Sequence, residues 1–435
     1  MAKLDATILP FHLSRAFAPV SEERTDFELE VTGEVPRELQ GSYVRNGPNP
    51  RTGRSPSWFA GDGMLHAVQL DGGRARWHRN RWLTAPYSPN THVVAHAGRL
   101  LALVETRLPV EVTPELETVG VFDYGGVLQR AMTAHPKLCP RTGELLFFSY
   151  ASSPPFLSYY RADATGRIVH QADLDAGFPS FMHDFAITEK YAVFYVLPVL
   201  LGDFRSPVPI RWSEDVPARI GVLPRDGKSE QLRWFEVAPC TISHTVNAFE
   251  DGNTVVLDAV RAPHIMQPHS LYRFRLDLES GRASESELDP RFLDFPRVSP
   301  AVVGARQRYA YTTELLDFTS DGGFTRTALH KYDFETRTSV THDFGDESMP
   351  GECVVVPRSG STAEDDAWAI LFVHRRDGTA TDLVILDAAR FDAPEVARVH
   401  LRGRVPFGLH GNWIPNPGYT STPDRSPLDF GIPAR

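Results

Sequence analysis

The chain has 435 residues, 42% hydrophobic and 23% charged, with a formal net charge of −10. This is the composition of an ordinary folded protein, and the acidic balance, with no long run of Lys or Arg, argues against a nucleic-acid partner. Cys139, Cys240 and Cys353 make neither a disulfide framework nor a Cys-x-x-Cys zinc site, and no apolar run is long enough to span a bilayer.

In chain order the pattern is one of short strands broken by turn residues. Met1 to Val20 lacks a basic start followed by an apolar stretch, so no signal peptide is expected. With three free thiols, a reducing cytoplasm is the expected compartment. Val68 to Trp77 reads as strand, Asp-Gly-Gly turn, strand. His92 to Glu105 repeats this around Ala97-Gly98, and His135 to Tyr150 around Pro140-Arg-Thr-Gly143. Further copies follow at 181–196, 245–260, 270–287, 308–316, 329–344 and 352–376.

Strands at this spacing, with 35 prolines, 32 glycines and no sustained helical period, predict an all-β fold. The length alone would allow two or three domains, but large all-β domains are common. The expectation is a single domain over 1–435, a β-propeller of six to eight four-stranded blades. A sandwich or a parallel β-helix fits the same pattern, since no Trp-Asp signature punctuates the repeats. Val196-Leu-Pro-Val-Leu-Leu-Gly-Asp-Phe204 breaks the rhythm. It reads either as a buried loop or as an exposed apolar patch that contacts lipid or a partner.

Four histidines sit in separate strand-like runs. They are His135 in Thr-Ala-His-Pro, His183 in Phe-Met-His-Asp-Phe, His244 in Ser-His-Thr-Val and His410 in Gly-Leu-His-Gly-Asn-Trp. Burying an imidazole in an apolar run without a partner is costly, and neutral imidazoles meeting at an axis make a transition-metal site. His66, in Gly-Asp-Gly-Met-Leu-His, shares the setting, so burial alone does not select four. A metal-bound histidine usually donates its other ring N–H to a carboxylate or carbonyl. Glu105, Asp294 and Glu352 lie in apolar runs and are candidates; an acid at a strand end facing solvent is the ordinary alternative. There is no Ser-His-Asp or Cys-His arrangement to suggest covalent catalysis.

These motifs resemble the carotenoid cleavage oxygenases, the family that includes the retinal pigment epithelium isomerohydrolase and the stilbene-cleaving dioxygenases. The resemblance rests on Gly41-Ser-Tyr-Val-Arg-Asn-Gly-Pro-Asn-Pro50, Trp58-Phe-Ala-Gly-Asp-Gly-Met-Leu-His66, Thr133-Ala-His-Pro136 and Met182-His-Asp-Phe-Ala-Ile-Thr188. It continues through His244-Thr-Val-Asn-Ala-Phe249, Asp294-Phe-Pro-Arg297, Gly351-Glu352 and Pro406-Phe-Gly-Leu-His-Gly-Asn-Trp413.

The resemblance implies a seven-bladed β-propeller, with loops and short helices capping one face over an axial non-haem Fe(II). It implies that His135, His183, His244 and His410 bind the iron and carry the catalysis, with two adjacent positions open. It pairs Glu105 with His183, Asp294 with His244 and Glu352 with His410, and leaves His135 without a carboxylate. The implied reaction is oxidative cleavage of a conjugated C=C bond by O₂ to two carbonyl products. A stilbene dioxygenase, a polyene isomerohydrolase and a non-enzymatic propeller module are the alternatives.

Two departures from the family pattern matter. Asp294 stands where glutamate is usual, one methylene shorter, so its contact to His244 is expected to be water-mediated or absent. Val104 stands where stilbene-cleaving members carry a phenol-binding lysine, which favours an apolar polyene. Ala60 replaces a common aspartate outside the expected metal shell. An apolar substrate further implies peripheral membrane contact through Val196–Phe204. No motif sets an oligomeric state.

Overall fold

The computed structural model describes residues 9–201, 210–265, 267–321 and 323–416. The turns form where the sequence places them. Asp71 pairs with Arg74 across Gly72-Gly73, whose φ values are +58° and +80°. His96 pairs with Arg99 across Ala97 at +50° and Gly98 at +75°. Positive φ at both central residues gives the two-residue turn whose twist matches a strand pair.

Among the described residues, seven antiparallel sheets of four or more strands form the blades of a propeller, with one further two-stranded sheet beside them. Blade 2 runs outward through His92–His96, Arg99–Leu103, Val110–Val112 and Thr118–Val121. Blades 3 to 6 begin at their inner strands with Lys137–Leu138, Ala186–Ile187, Thr241–Asp251 and Leu293–Arg297. In blade 7, Ser348–Pro350 and Val354–Pro357 both pair with Ala367–Arg375. Residues from the two ends of the chain close the ring. Gly411–Pro415 pairs with Gly41–Pro48 as the innermost strand of blade 1. Arg24–Phe27 is the outermost strand of blade 1, and Glu30–Gly33 the outermost of blade 7.

Most of the core lies between blades. A strand sends successive side chains to opposite faces, and here both faces are covered. In Ala367–Arg375, Trp368, Ile370 and Phe372 pack on blade 1 with Tyr43, Val68 and Leu70. Ala369, Leu371 and Val373 pack on blade 6 with Tyr311 and Leu329. The run is therefore continuously apolar, not alternating. Tyr43 and Phe372, both fully buried, meet edge to face at 4.9 Å.

Helical structure among the described residues is limited to five short 3₁₀ turns. Two of them, Phe11–Leu13 and Arg15–Phe17, supply Phe11 and Phe17 to an aromatic cluster with Trp58, Phe324 and Phe407. The described part of Val196–Phe204 is largely core. Val196, Leu197, Val199 and Leu200 are buried, and Val199–Leu201 pairs with Ile210–Trp212. Those side chains form no exposed apolar patch; Gly202 to Phe204 lie outside the described residues.

Candidate metal centre

Six blades deliver polar side chains to the site from the inner strand or the segment adjoining it, and blade 2 adds one from the turn after its second strand. His135 precedes the inner strand of blade 3, and His183 that of blade 4. His244 lies on the inner strand of blade 5, and His410 immediately before that of blade 1. Asp294 comes from the inner strand of blade 6, Glu352 from between the two inner strands of blade 7, and Glu105 from the turn after Arg99–Leu103 in blade 2.

The four imidazoles converge, with one ligand atom from each lying within 4.8 Å of all the others. Successive Nε2···Nε2 separations are 3.1 Å for His135–His183, 3.2 Å for His183–His244 and 3.2 Å for His244–His410. Two nitrogens at right angles about an ion, each ~2.1 Å from it, are about 3.0 Å apart. His66 is elsewhere: it pairs with Arg45 in blade 1 and stacks on His78.

The carboxylates fix the tautomers. His410 Nδ1 donates to Glu352 Oε1 at 2.8 Å, and His244 Nδ1 donates to Asp294 Oδ1 at 2.6 Å. The second contact is direct, despite the shorter side chain. His183 Nδ1 donates to Glu105 Oε1. With Nδ1 protonated, three Nε2 lone pairs face one another at close range. Such an arrangement is repulsive until a cation sits among them, so the donor set fits a metal ion.

The local charge fits a divalent one. Arg297 pairs with Glu352 at 3.1 Å. Three carboxylates and this guanidinium leave two net negative charges. Burial first, then the neighbouring imidazoles, pushes His135 and His410 far below the usual imidazole range, so both are neutral donors. Burial works to raise the Asp294 carboxyl, but His244, by charge and hydrogen bond, more than reverses this and holds it well below the carboxylate range. Burial also works against charge on His183, yet Glu105 outweighs it and raises that ring.

Further side chains tie the ligand strands together, and sequence reasoning did not single them out. His92, at the head of blade 2, lies 5.3 Å from the His410 ring and 5.7 Å from the His135 ring. Its Nδ1 donates to the Ala134 carbonyl at 2.8 Å, and its Nε2 accepts from Asn412 at 3.1 Å. Asp184 takes the Thr245 N–H at 2.8 Å and pairs with Lys137 at 2.7 Å, joining the strands of three ligands. Arg297 also donates to the Gly411 carbonyl. His92 stands in the same strand-like setting as the four ligands, but both its ring nitrogens are bonded and it lies outside the group whose nitrogens converge. The walls are apolar. Phe295 sits 5.8 Å from the His244 ring and 5.5 Å from the His410 ring, and joins the cluster of Phe17, Trp58, Phe324 and Phe407. Phe181 stacks on His183 at 6.0 Å.

Comparison with known proteins agrees with this architecture. The family model described as retinal pigment epithelial membrane protein matches residues 17–88 and 85–415. The chain is 34% identical to a carotenoid cleavage oxygenase of Mycobacterium tuberculosis, over 93% of this chain and 97% of the relative. That alignment runs over 494 positions, more than the 435 residues here, so the relative carries segments this chain lacks. Among solved structures, the lignostilbene dioxygenase of Pseudomonas brassicacearum superposes with a TM-score of 0.84 at 26% identity, covering 94% of this chain and all of that one. An apocarotenoid oxygenase variant of Synechocystis does so at 0.82 and 27%, covering 92% and 98%. The chain belongs to the retinal pigment epithelial membrane protein family, that of the carotenoid cleavage oxygenases.

Proposed function

We propose that the protein is an iron(II)-dependent dioxygenase that cleaves a conjugated C=C bond of a carotenoid or apocarotenoid to two carbonyl products. The single observation that carries this is the convergence of four imidazoles, three of them backed by carboxylates, on the axis of a family propeller. His135, His183, His244 and His410 would hold the ion. Iron bound there would supply the redox chemistry that lets O₂ react with a conjugated C=C bond.

The chain's own residues do the remaining work. The carboxylates hold the rings with Nε2 inward and offset the charge of the ion. Phe295 presents apolar surface beside the His244 and His410 rings, suited to a hydrocarbon and hostile to water, and is backed by the cluster of Phe17, Trp58, Phe324 and Phe407. Val104 places an aliphatic side chain beside Glu105 and brings no charge for a phenolate. The products together contain both atoms of one O₂ molecule, so no further oxidant or reductant is needed.

The test is aerobic incubation of Fe(II)-loaded protein with carotenoids, apocarotenals and stilbenes under ¹⁸O₂, with mass analysis of the products. Labelled aldehydes or ketones from a polyene are expected. No carbonyl product from any of the three classes would sink the reading.

A polyene dissolves in lipid, so peripheral membrane contact is part of the proposal. No described helix is long and apolar enough to cross a membrane. The described part of the expected contact is buried up to Leu200, with Leu201 half-buried, and residues 202–204 of it lie outside the described residues. Flotation with liposomes tests this; protein that stays at the bottom of the gradient ends it.

A further inference from the structure

We propose that Tyr150 is a positioning residue of the metal centre, acting through Glu105. The inference rests on the metal-centre reading above and deepens it.

The three carboxylates behind the histidines are anchored differently. Glu352 Oε2 accepts the Gly411 N–H at 2.9 Å, and Glu352 also pairs with Arg297. Asp294 Oδ1 accepts the Phe295 N–H at 2.9 Å. Both acids are thus held by backbone, which cannot swing away. Glu105 is not. Among the described residues it accepts from two groups only, His183 Nδ1 on Oε1 and the Tyr150 hydroxyl on Oε2. It also projects from a turn, next to Thr106 at φ +63°.

Tyr150 is well placed to replace the missing backbone donor. It ends the strand Leu145–Tyr150 of blade 3, is 6% exposed, and its ring is wedged by Phe148 at 6.0 Å and Phe181 at 5.9 Å. Phe181 in turn stacks on His183. Tyr150 therefore fixes both contacts of the ligand, the carboxylate behind the ring and the aromatic face beside it. A hydrogen-bonded carboxylate with one rotamer presents Oε1 to Nδ1, and the ring is held with Nε2 on the axis. Without the hydroxyl, Oε2 of Glu105 loses its donor, and the bond to His183 Nδ1 alone holds the side chain.

The test is a double-mutant cycle read by metal affinity. Apoprotein is titrated with Co(II) against a chelator, and the d–d absorption of the bound ion is recorded. Tyr150→Phe keeps the ring packing and removes only the hydroxyl. It should weaken Co(II) binding by about tenfold, toward the low end for partners behind a ligand, and shift the d–d bands. In a Glu105→Ala background, where the hydroxyl has no side-chain partner at 105, the same substitution should change affinity by less than about twofold, because coupled residues are not additive. Wild-type affinity in Tyr150→Phe would overturn the assignment, and so would an equal tenfold loss in the Glu105→Ala background. Wild-type protein that binds no Co(II) would overturn the metal-centre reading itself, and this inference with it.

Discussion

Asp294 reaches His244 directly, with 2.6 Å between Oδ1 and Nδ1. The backbone explains how a short acid does so. The pairing register slips between Asp294 and Arg297, and Phe295 takes a φ of +51°, the left-handed region that a bulky residue enters only at a cost of about 1–2 kcal/mol. A bulge of this kind bends its strand and re-aims the side chains on it. The same turn of backbone presents the Phe295 N–H to Asp294 and its ring to His244 and His410.

Asp294→Ala should therefore lower Co(II) affinity by about 10- to 100-fold. Asp294→Glu should also bind less tightly than the native protein, because the longer arm overshoots a ring already in contact. Chelator competition measures both. A glutamate variant that binds more tightly would show that the bulge is not a compensation.

His183 is held by Glu105 on one side and by the Phe181 ring on the other. His183→Ala should lose stoichiometric iron, by metal analysis of the purified protein, and cleavage activity together. Full activity in this variant would remove the ligand assignment.

Arg297 keeps Glu352 in charge balance. Glu352 is 3% exposed, and removing Arg297 leaves a buried carboxylate in the metal-free protein with hydrogen bonds from His410 and Gly411 but no ion-pair partner. Arg297→Met should destabilise the fold by about 3–5 kcal/mol. Arg297→Met combined with Glu352→Gln should recover part of that loss, since the amide carries no charge and still accepts from His410, although its NH2 then faces the Gly411 N–H. Urea unfolding of the two variants is the measurement, and equal stabilities would contradict it.

Acid should weaken the fold through blade 1. His78 is completely buried, and burial, opposed only weakly by Asp26, pushes its pKa down to about 4. In the unfolded chain it titrates near about 6.5. The native state thus binds fewer protons than the unfolded state between these values. Stability is full above pH ~6.5 and falls as pH drops toward ~4, by about 1.4 kcal/mol per unit and about 3 kcal/mol in all. His66 and His374, also buried and lowered by desolvation, add to the slope. Urea midpoints at several pH values between 4 and 7 should show this, and His78→Phe should flatten it. A variant with the native slope would assign the acid sensitivity elsewhere.

Much of the architecture was legible because it is locally encoded. Turn glycines and period-two strands need only neighbours in sequence, so the hairpins at Gly72-Gly73 and Ala97-Gly98 stand where the residues put them. The count of blades did not follow from periodicity alone, and came from the family motifs. Those motifs also marked the four histidines and three acids that the fold brings to one axis.

What the one-dimensional pattern does not contain is contact between blades. Val196–Leu200 has the composition of either a patch or a core, and pairing with Ile210–Trp212 makes it largely core. His92 has the setting of a ligand, but its bonds to Ala134 and Asn412 make it a brace. Tyr150 lies 45 residues from Glu105, and Arg297 lies 55 from Glu352. Residue types and local spacing determined the strands and nominated the metal-binding groups. Closure of the ring decided which nitrogen faces inward, how a short aspartate reaches its histidine and which charges cancel, because those depend on distances between chain segments that only packing sets.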